Sequence, residues 1–287
     1  MANTKDLVRK YNIRFTKSLG QNFLVDETVV KRIVDAAEIS GNDLVIEVGP
    51  GIGSMTGELA SRAGKVIAVE IDKHLIPALQ ENLKGYSNVV IMNDDIMKLE
   101  LKELFTKHAK DENGQDYCIK VVANLPYYIT TPIIMKFLED DAGIESMVFM
   151  IQKEVAERMA AKPGGKDYGA LSVAVQYYSV PKVVLNVSPH CFIPQPEVDS
   201  TVVKLTVNKV PPVELLDKDL FFRVIKASFG QRRKTLVNAL CNSGYFIKSK
   251  DEVKEILKKI GIGENQRGET LSIMQFASLA NSFFDKK

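Results

Sequence analysis

The stretch "DLVIEVGPGIGSMTGELA", residues 43–60, decides the fold. A near-continuous apolar run ends in three glycines at alternate positions, Gly49, Gly51 and Gly53, and a helical pattern begins near Ser54. A strand of that composition is covered on both faces. The glycines let the main chain come close to a ligand, and the helix behind them opens with free N–H groups, so something large and polar binds here.

Outward from this stretch, β-rich runs alternate with helical patterns as far as about residue 207. The runs are "KVIAVEI" (65–71), "NVVIM" (88–92), "CIKVVA" (118–123), "SMVFMIQ" (146–152), "KVVLNV" (182–187) and "STVVKLTV" (200–207). Apolar runs of this kind belong to a parallel sheet with helices on both sides, an α/β protein. Asp72 can cap a helix through "KHLIPALQENL", with Pro77 in its first turns. Thr130 or Thr131 can cap "PIIMKFLED", with Pro132 at the first helical position. The last two strands are joined by "SPHCFIPQPEVD", too short for a helical crossover, and should pair antiparallel. A seven-stranded sheet with an antiparallel last strand resembles that of the class I, Rossmann-like methyltransferases. Beyond it, "VNKVPPVELLDKD" reads as a linker, and later patterns are helical, most clearly "DEVKEILKKIG" with Val253, Ile256, Leu257 and Ile260 on one face. The expected domains are 1–209, built on the sheet, and 210–287, small and all-helical. "KHAKDENGQDY" (107–117) reads as a surface loop.

Composition bounds the function. With 45% hydrophobic residues among 287, the chain can fill a sizeable core. No apolar run reaches the roughly 18 residues of a membrane span, and "MANTKDLVRKYNIRF" lacks the core of a secretory signal, so a soluble, cytoplasmic protein is expected. Cys118, Cys191 and Cys241 are far apart, and His74, His108 and His190 are scattered, which argues against a disulfide framework or a metal site. The net charge of +2 conceals two basic stretches. Residues 1–20 hold Lys5, Arg9, Lys10, Arg14 and Lys17 against Asp6, and residues 223–234 hold Arg223, Lys226, Arg232, Arg233 and Lys234 with no acid. Patches of this kind on an otherwise acidic body suit a polyanion, or else are solvated helix faces.

Glu70 ends the second strand, well placed to accept hydrogen bonds from two ribose hydroxyls. Asp95, or its neighbour Asp94, can take the exocyclic amine of an adenine or cap a helix. The spacing is G-x-G-x-G, with Ser54 where a dinucleotide fold carries its last glycine. The fourth strand runs into "NLPYY". An exocyclic adenine nitrogen is a poor nucleophile because its lone pair is delocalised. The carbonyls of Asn124 and of the Leu125 main chain could accept its two hydrogens and turn that lone pair outward. Pro126 stiffens the turn and Tyr127 offers a face for the base, whereas Tyr128 is either functional or core.

With these residues in place, the motifs "SLGQNFL" (18–24), "EVGPGIGSMT" (47–56), "NLPYYITTPI" (124–133), "FIPQPEVDS" (192–200) and "SFGQRRKTL" (228–236) resemble, in order, those of small-subunit ribosomal RNA adenine N6,N6-dimethyltransferases. The resemblance implies S-adenosylmethionine as cofactor, with Gln21, Asn22 and Leu24 contacting it from an N-terminal segment and Gly49, Glu70, Asp95 and Asn124 completing the pocket. It also implies that Phe192 closes on the target base opposite Tyr127. The family dimethylates two adjacent adenines in a hairpin loop near the 3′ end of small-subunit rRNA during ribosome assembly, and its helical domain helps to hold the RNA. A monomer acting on the assembling small subunit is expected. Met55 stands where the family commonly has leucine, a swap of similar volume. Three other readings compete: a macrolide-resistance methylase acting on large-subunit rRNA, a noncatalytic RNA-binding assembly factor, and a nicotinamide-dependent dehydrogenase.

Overall fold

The computed structural model describes residues 10–11, 19–246 and 248–284. The N-terminal charges Lys5, Asp6, Arg9, Arg14 and Lys17, and Ser18 of the first motif, lie outside the described residues. The chain forms two compact units: Met1–Ala156 with Pro181–Val207, and Glu157–Val180 with Asn208–Lys287.

The first unit is built on seven strands: β2 (Asp43–Val48), β3 (Lys65–Glu70), β4 (Val89–Asn93), β5 (Cys118–Asn124), β6 (Ile144–Gln152), β7 (Ser179–Val187) and β9 (Ser200–Val207). They are ordered β4-β3-β2-β5-β6-β9-β7, and a separate two-stranded ladder joins β1 (Phe23–Leu24) to β8 (Phe192–Ile193). The pairs from β4 through β6 are parallel and β9 lies antiparallel against β6, while β7 lies beside β9, the neighbour to which its short connection leads. Every residue of β2 is buried, consistent with its apolar run. Strand order reverses beside β2, whose neighbours are β3 and β5, and a doubly wound sheet opens its ligand crevice at such a reversal.

Helix α1 (Glu27–Ala37) is started by Asp26, whose carboxylate accepts from the N–H groups of Thr28 and Val29. It buries Val29, Val30, Ile33 and Val34 and stops at Glu38, which takes a left-handed φ of 52°. At the sheet's amino end, buried Lys120 pairs with Asp43 at 3.1 Å and donates to the Glu38 carbonyl at 2.7 Å. These bonds satisfy a charge that burial would otherwise make costly.

Two helix starts differ from expectation. The helix after β3 begins at Ile76 and places Pro77 second; Asp72 instead shapes the preceding turn, accepting the His74 N–H on its side chain and the Leu75 N–H on its carbonyl. The helix after β5 begins at Thr130 itself, so Pro132 is its third residue. The Thr130 hydroxyl donates back to the Pro126 carbonyl rather than capping forward. Both prolines fall in a first turn, where no N–H is needed.

The second unit is helical: Ala170–Tyr178, Lys218–Gly230, Leu236–Cys241, Lys250–Lys259 and Ile273–Phe283. Asp217, Ser249 and Ser272 cap three of these, the last two through reciprocal capping boxes. A domain cut after residue 209 leaves Glu157–Val180 with the sheet. Instead that segment belongs here, because Tyr168, Val173 and Tyr177 share one buried cluster with Phe221, Leu236 and Phe276, and the Tyr168 hydroxyl donates to the Leu271 carbonyl. Among the described residues, no helix is long and apolar enough to cross a membrane.

Candidate active site

The ends of β2, β3 and β5 meet an N-terminal strap, residues 19–24, around a pocket of about 870 Å³ including its open mouth. Gly49 and Gly51 hold φ of +66° and +60°, a conformation that strains any other residue. The main chain of this loop is tied to the neighbouring strand. Gly49 donates to the Val69 carbonyl at 3.0 Å, and Gly51 donates to Glu70 Oε2 at 2.9 Å. Asp72 N–H occupies Glu70 Oε1 at 2.8 Å. A carboxylate accepts about four hydrogen bonds, so Glu70 retains room for two more donors. Burial raises its pKa, against the pull of the Asp72, Gly51 and Ile71 N–H groups. Gly53 caps the helix Ser54–Ala60; it does not line the pocket, and a Cβ there would meet Leu79 Cδ1 at 2.9 Å, so it serves close packing.

The strap is bound at several points. Gln21 Nε2 donates to Asp72 Oδ2 at 2.8 Å. Phe23 and Leu24 pair antiparallel with Ile193 and Phe192, and the Phe23 ring lies so close to Gly51 that a Cβ there would come within 2.6 Å of it. Asn124 Nδ2 donates to the Asn22 carbonyl at 3.0 Å, which orients the amide. Its Oδ1 is thereby left as the acceptor in a pocket that Asn124, Leu125, Pro126 and Tyr127 help to line.

The Pro126–Ile129 turn is closed by the Ile129 N–H and the Thr130 hydroxyl, both donating to the Pro126 carbonyl. Tyr127 and the Ser200 hydroxyl share a 2.7 Å hydrogen bond that anchors the ring, and burial raises the phenol's pKa. Tyr128 is 59% exposed and so is no part of the core.

Of the residues expected here, the pocket gathers Gln21, Asn22, Leu24, Gly49, Gly51, Glu70, Asn124, Leu125, Pro126 and Tyr127. Phe192 is elsewhere: its ring is 1% exposed in a cluster with Leu24, Val30 and Val202, because pairing with Leu24 turns it into the core. Asp95 does not line the pocket either. It acts as a cap, accepting the Met97 N–H at 3.0 Å and facing Lys98 at 3.9 Å. In the helical unit, Arg232 donates to the Lys166 carbonyl at 2.7 Å and pairs with Glu269 at 3.3 Å, Arg223 faces Asp217 at 3.9 Å, and Lys226 lies over the Tyr245 ring. Arg233 and Lys234 are exposed. Among the described residues, no cluster of His, Cys, Asp and Glu could hold a metal ion.

Among the further residues that line the pocket, Ile71 and Glu47 stand out. Ile71, directly after Glu70, is 51% exposed at the mouth. Glu47 is 1% exposed, and its Oε2 has no hydrogen-bond partner, nor does the buried Thr56 hydroxyl. Burial pushes the Glu47 carboxyl up to about 8; the nearby Thr56 hydroxyl opposes the rise and Glu70 adds to it. An acid inside an otherwise apolar strand was the available signal.

A doubly wound sheet of this order, with a glycine loop and a buried acid on adjacent strand ends, defines a Rossmann-like methyltransferase. The chain belongs to the family of ribosomal RNA adenine dimethylases, whose model matches residues 12–285. It is 53% identical over 283 residues to a ribosomal RNA small subunit methyltransferase A of Alkaliphilus oremlandii, spanning 99% of this chain and 96% of the relative. It is 52% identical to the protein of that name from Clostridioides difficile, over 97% and 94% of the two chains. Among solved structures, a dimethyladenosine transferase from Plasmodium falciparum is similar at a TM-score of 0.74 and 26% identity, over 90% of this chain and 95% of that one. The 23S rRNA methyltransferase ErmE is similar at 0.68 and 25%, over 91% and 99%.

Proposed function

We propose that this chain transfers methyl groups from S-adenosylmethionine to N6 of two adjacent adenines in the 3′-terminal hairpin loop of small-subunit rRNA, giving N6,N6-dimethyladenosines. The observation that carries the chemistry is the orientation of Asn124, whose Nδ2 is spent on the Asn22 carbonyl at 3.0 Å. With its nitrogen committed, the side chain offers Oδ1, and the Leu125 carbonyl beside it is a second acceptor. Together they hold the two N–H hydrogens of an adenine amine and turn its lone pair out of the ring. The Tyr127 ring, anchored through Ser200, stacks on the base. After a second transfer no N–H remains to engage either acceptor, which favours release of the product.

The residues fit the cofactor. Glu70 has acceptor capacity for two ribose hydroxyls, and Gly49 and Gly51 permit the main chain to approach closely. Gln21, Asn22 and Leu24 close the pocket from the strap. Bound there, S-adenosylmethionine supplies a methyl group already activated by its sulfonium. Support for the small subunit as substrate comes from relatives at 51% identity and above over nearly the whole chain, set against 25% to ErmE. Exposed Arg233 and Lys234 fit the helical unit for RNA. A cytoplasmic monomer acting during subunit assembly completes the reading.

Labelled-methyl transfer to separated small-subunit and large-subunit RNA tests it. Label should enter only the former, and Asn124→Ala should lower the rate by about 100-fold, the scale of losing one positioned polar group, with far less effect on cofactor affinity. Label in large-subunit RNA alone, or unchanged turnover in the variant, refutes the proposal.

A further inference from the structure

Tyr128 is the most exposed aromatic side chain among the described residues, yet it adjoins Tyr127, whose ring lines the pocket. The two tyrosines occupy the centre of one closed turn, Pro126–Ile129, and therefore diverge: the first points to Ser200, the second to solvent. Tyr128 is also supported. Gly20 of the strap packs against it, so that a Cβ there would lie 3.3 Å from Tyr128 Cδ1 and 3.5 Å from Pro126 Cβ. Gly20 holds φ +58°, which brings the strap against the ring without a side chain in between. A flat ring on a rigid turn, braced on one edge and open elsewhere, is a preordered stacking surface rather than a loose surface residue.

Resting on the function proposed above, we infer that Tyr128 is a positioning residue, the platform on which the nucleobase next to the target adenine stacks while that adenine occupies the pocket. A base removed from its own stack leaves its neighbour with an uncovered face, and an aromatic ring beside the pocket mouth covers it. The substrate chemistry favours a ring over a hydrogen-bonding side chain here. With two adjacent adenines as targets, the neighbour is at one stage unmodified and at another dimethylated. A site that read the neighbour's N6–H donors would reject it after methylation, whereas a π face accepts both forms. Tyr128 thus lets one pocket serve both adenines.

The test uses the full chain and an RNA hairpin carrying the two adenines, with 2-aminopurine replacing the adenine beside the target. Wild-type protein should quench the probe, and Tyr128→Ala should abolish the quenching and raise the RNA dissociation constant by about 5- to 150-fold, the range of one lost base stack. Binding of S-adenosylmethionine, measured by calorimetry, should not change, which excludes a misfolded pocket. Tyr128→Phe and Tyr128→Trp should behave as wild type. Equal quenching in wild type and Tyr128→Ala, or a loss in Tyr128→Phe as large as in Tyr128→Ala, overturns the inference while leaving the proposed reaction intact. Failure of the wild-type chain to methylate small-subunit RNA, free or within the assembling subunit, would instead remove the reading on which it rests.

Discussion

Glu47 offers the most direct link between a buried atom and a measurable quantity. Its carboxyl lies inside the sheet unit with Oε2 unpartnered, and burial lifts its pKa from 4.5 to about 8. The folded chain therefore keeps a proton that the unfolded chain releases, so the contribution of this group to stability is whole below pH 4.5 and is lost as pH rises to about 8. At about 1.4 kcal/mol per unit the ceiling on that loss is about 5 kcal/mol. Glu47→Gln keeps the shape and carries no titrating proton. Urea unfolding, with amide exchange of β2 and β5 to isolate the sheet unit, should find the variant gaining on wild type by at least about 2 kcal/mol between pH 5.5 and pH 8.5. A difference constant across that interval to within about 0.5 kcal/mol would mean that Glu47 ionises normally in the fold, and the reasoning from its orphaned oxygen would be wrong.

Gly51→Ala forces a left-handed residue to carry a Cβ 2.6 Å from the Phe23 ring. It should cost about 1–3 kcal/mol and displace the strap, read as a lower melting temperature together with weaker cofactor binding; a loss of stability alone would separate the strap from the pocket. In the helical unit, Arg232→Ala and Arg233→Ala should part company. The first, which breaks the clasp on the Lys166 carbonyl, should speed proteolysis near that loop, while the second should reduce the slope of log affinity against log salt by about one. Identical effects from the two would contradict the division of labour.

What was legible in the sequence is local. The glycine loop, the apolar runs and the asparagine–proline turn depend on near neighbours, and they appear where spacing places them. Pairings between distant segments were not legible. Phe192 and Tyr128 both sit in loop motifs, and nothing near either tells which ring faces inward. Leu24, far away in the chain, draws Phe192 into the core, while turn geometry sends Tyr128 outward. Asp95 follows a strand as a ligand-binding acid would, and a cap to the next turn, accepting Met97 N–H on one oxygen, looks the same from sequence. Residues 157–180 follow a strand as any crossover does, and only the packing of Tyr168 and Tyr177 assigns them to the helical core. Glu47 was hidden because a strand buried on both faces shows no polar alternation to mark which face an acid occupies.

The strap has a consequence for how the protein comes into being. Its residues are made long before the partner that fixes Leu24, because Phe192 is synthesised only after almost the whole sheet. A nascent chain can therefore wind its first strands, form the glycine loop and bring Gln21 and Asn22 to Asp72 and Asn124 while the Phe23–Leu24 end of the strap still lacks its partner strand. Closure of the strap is thus completed only when this late partner strand is in place.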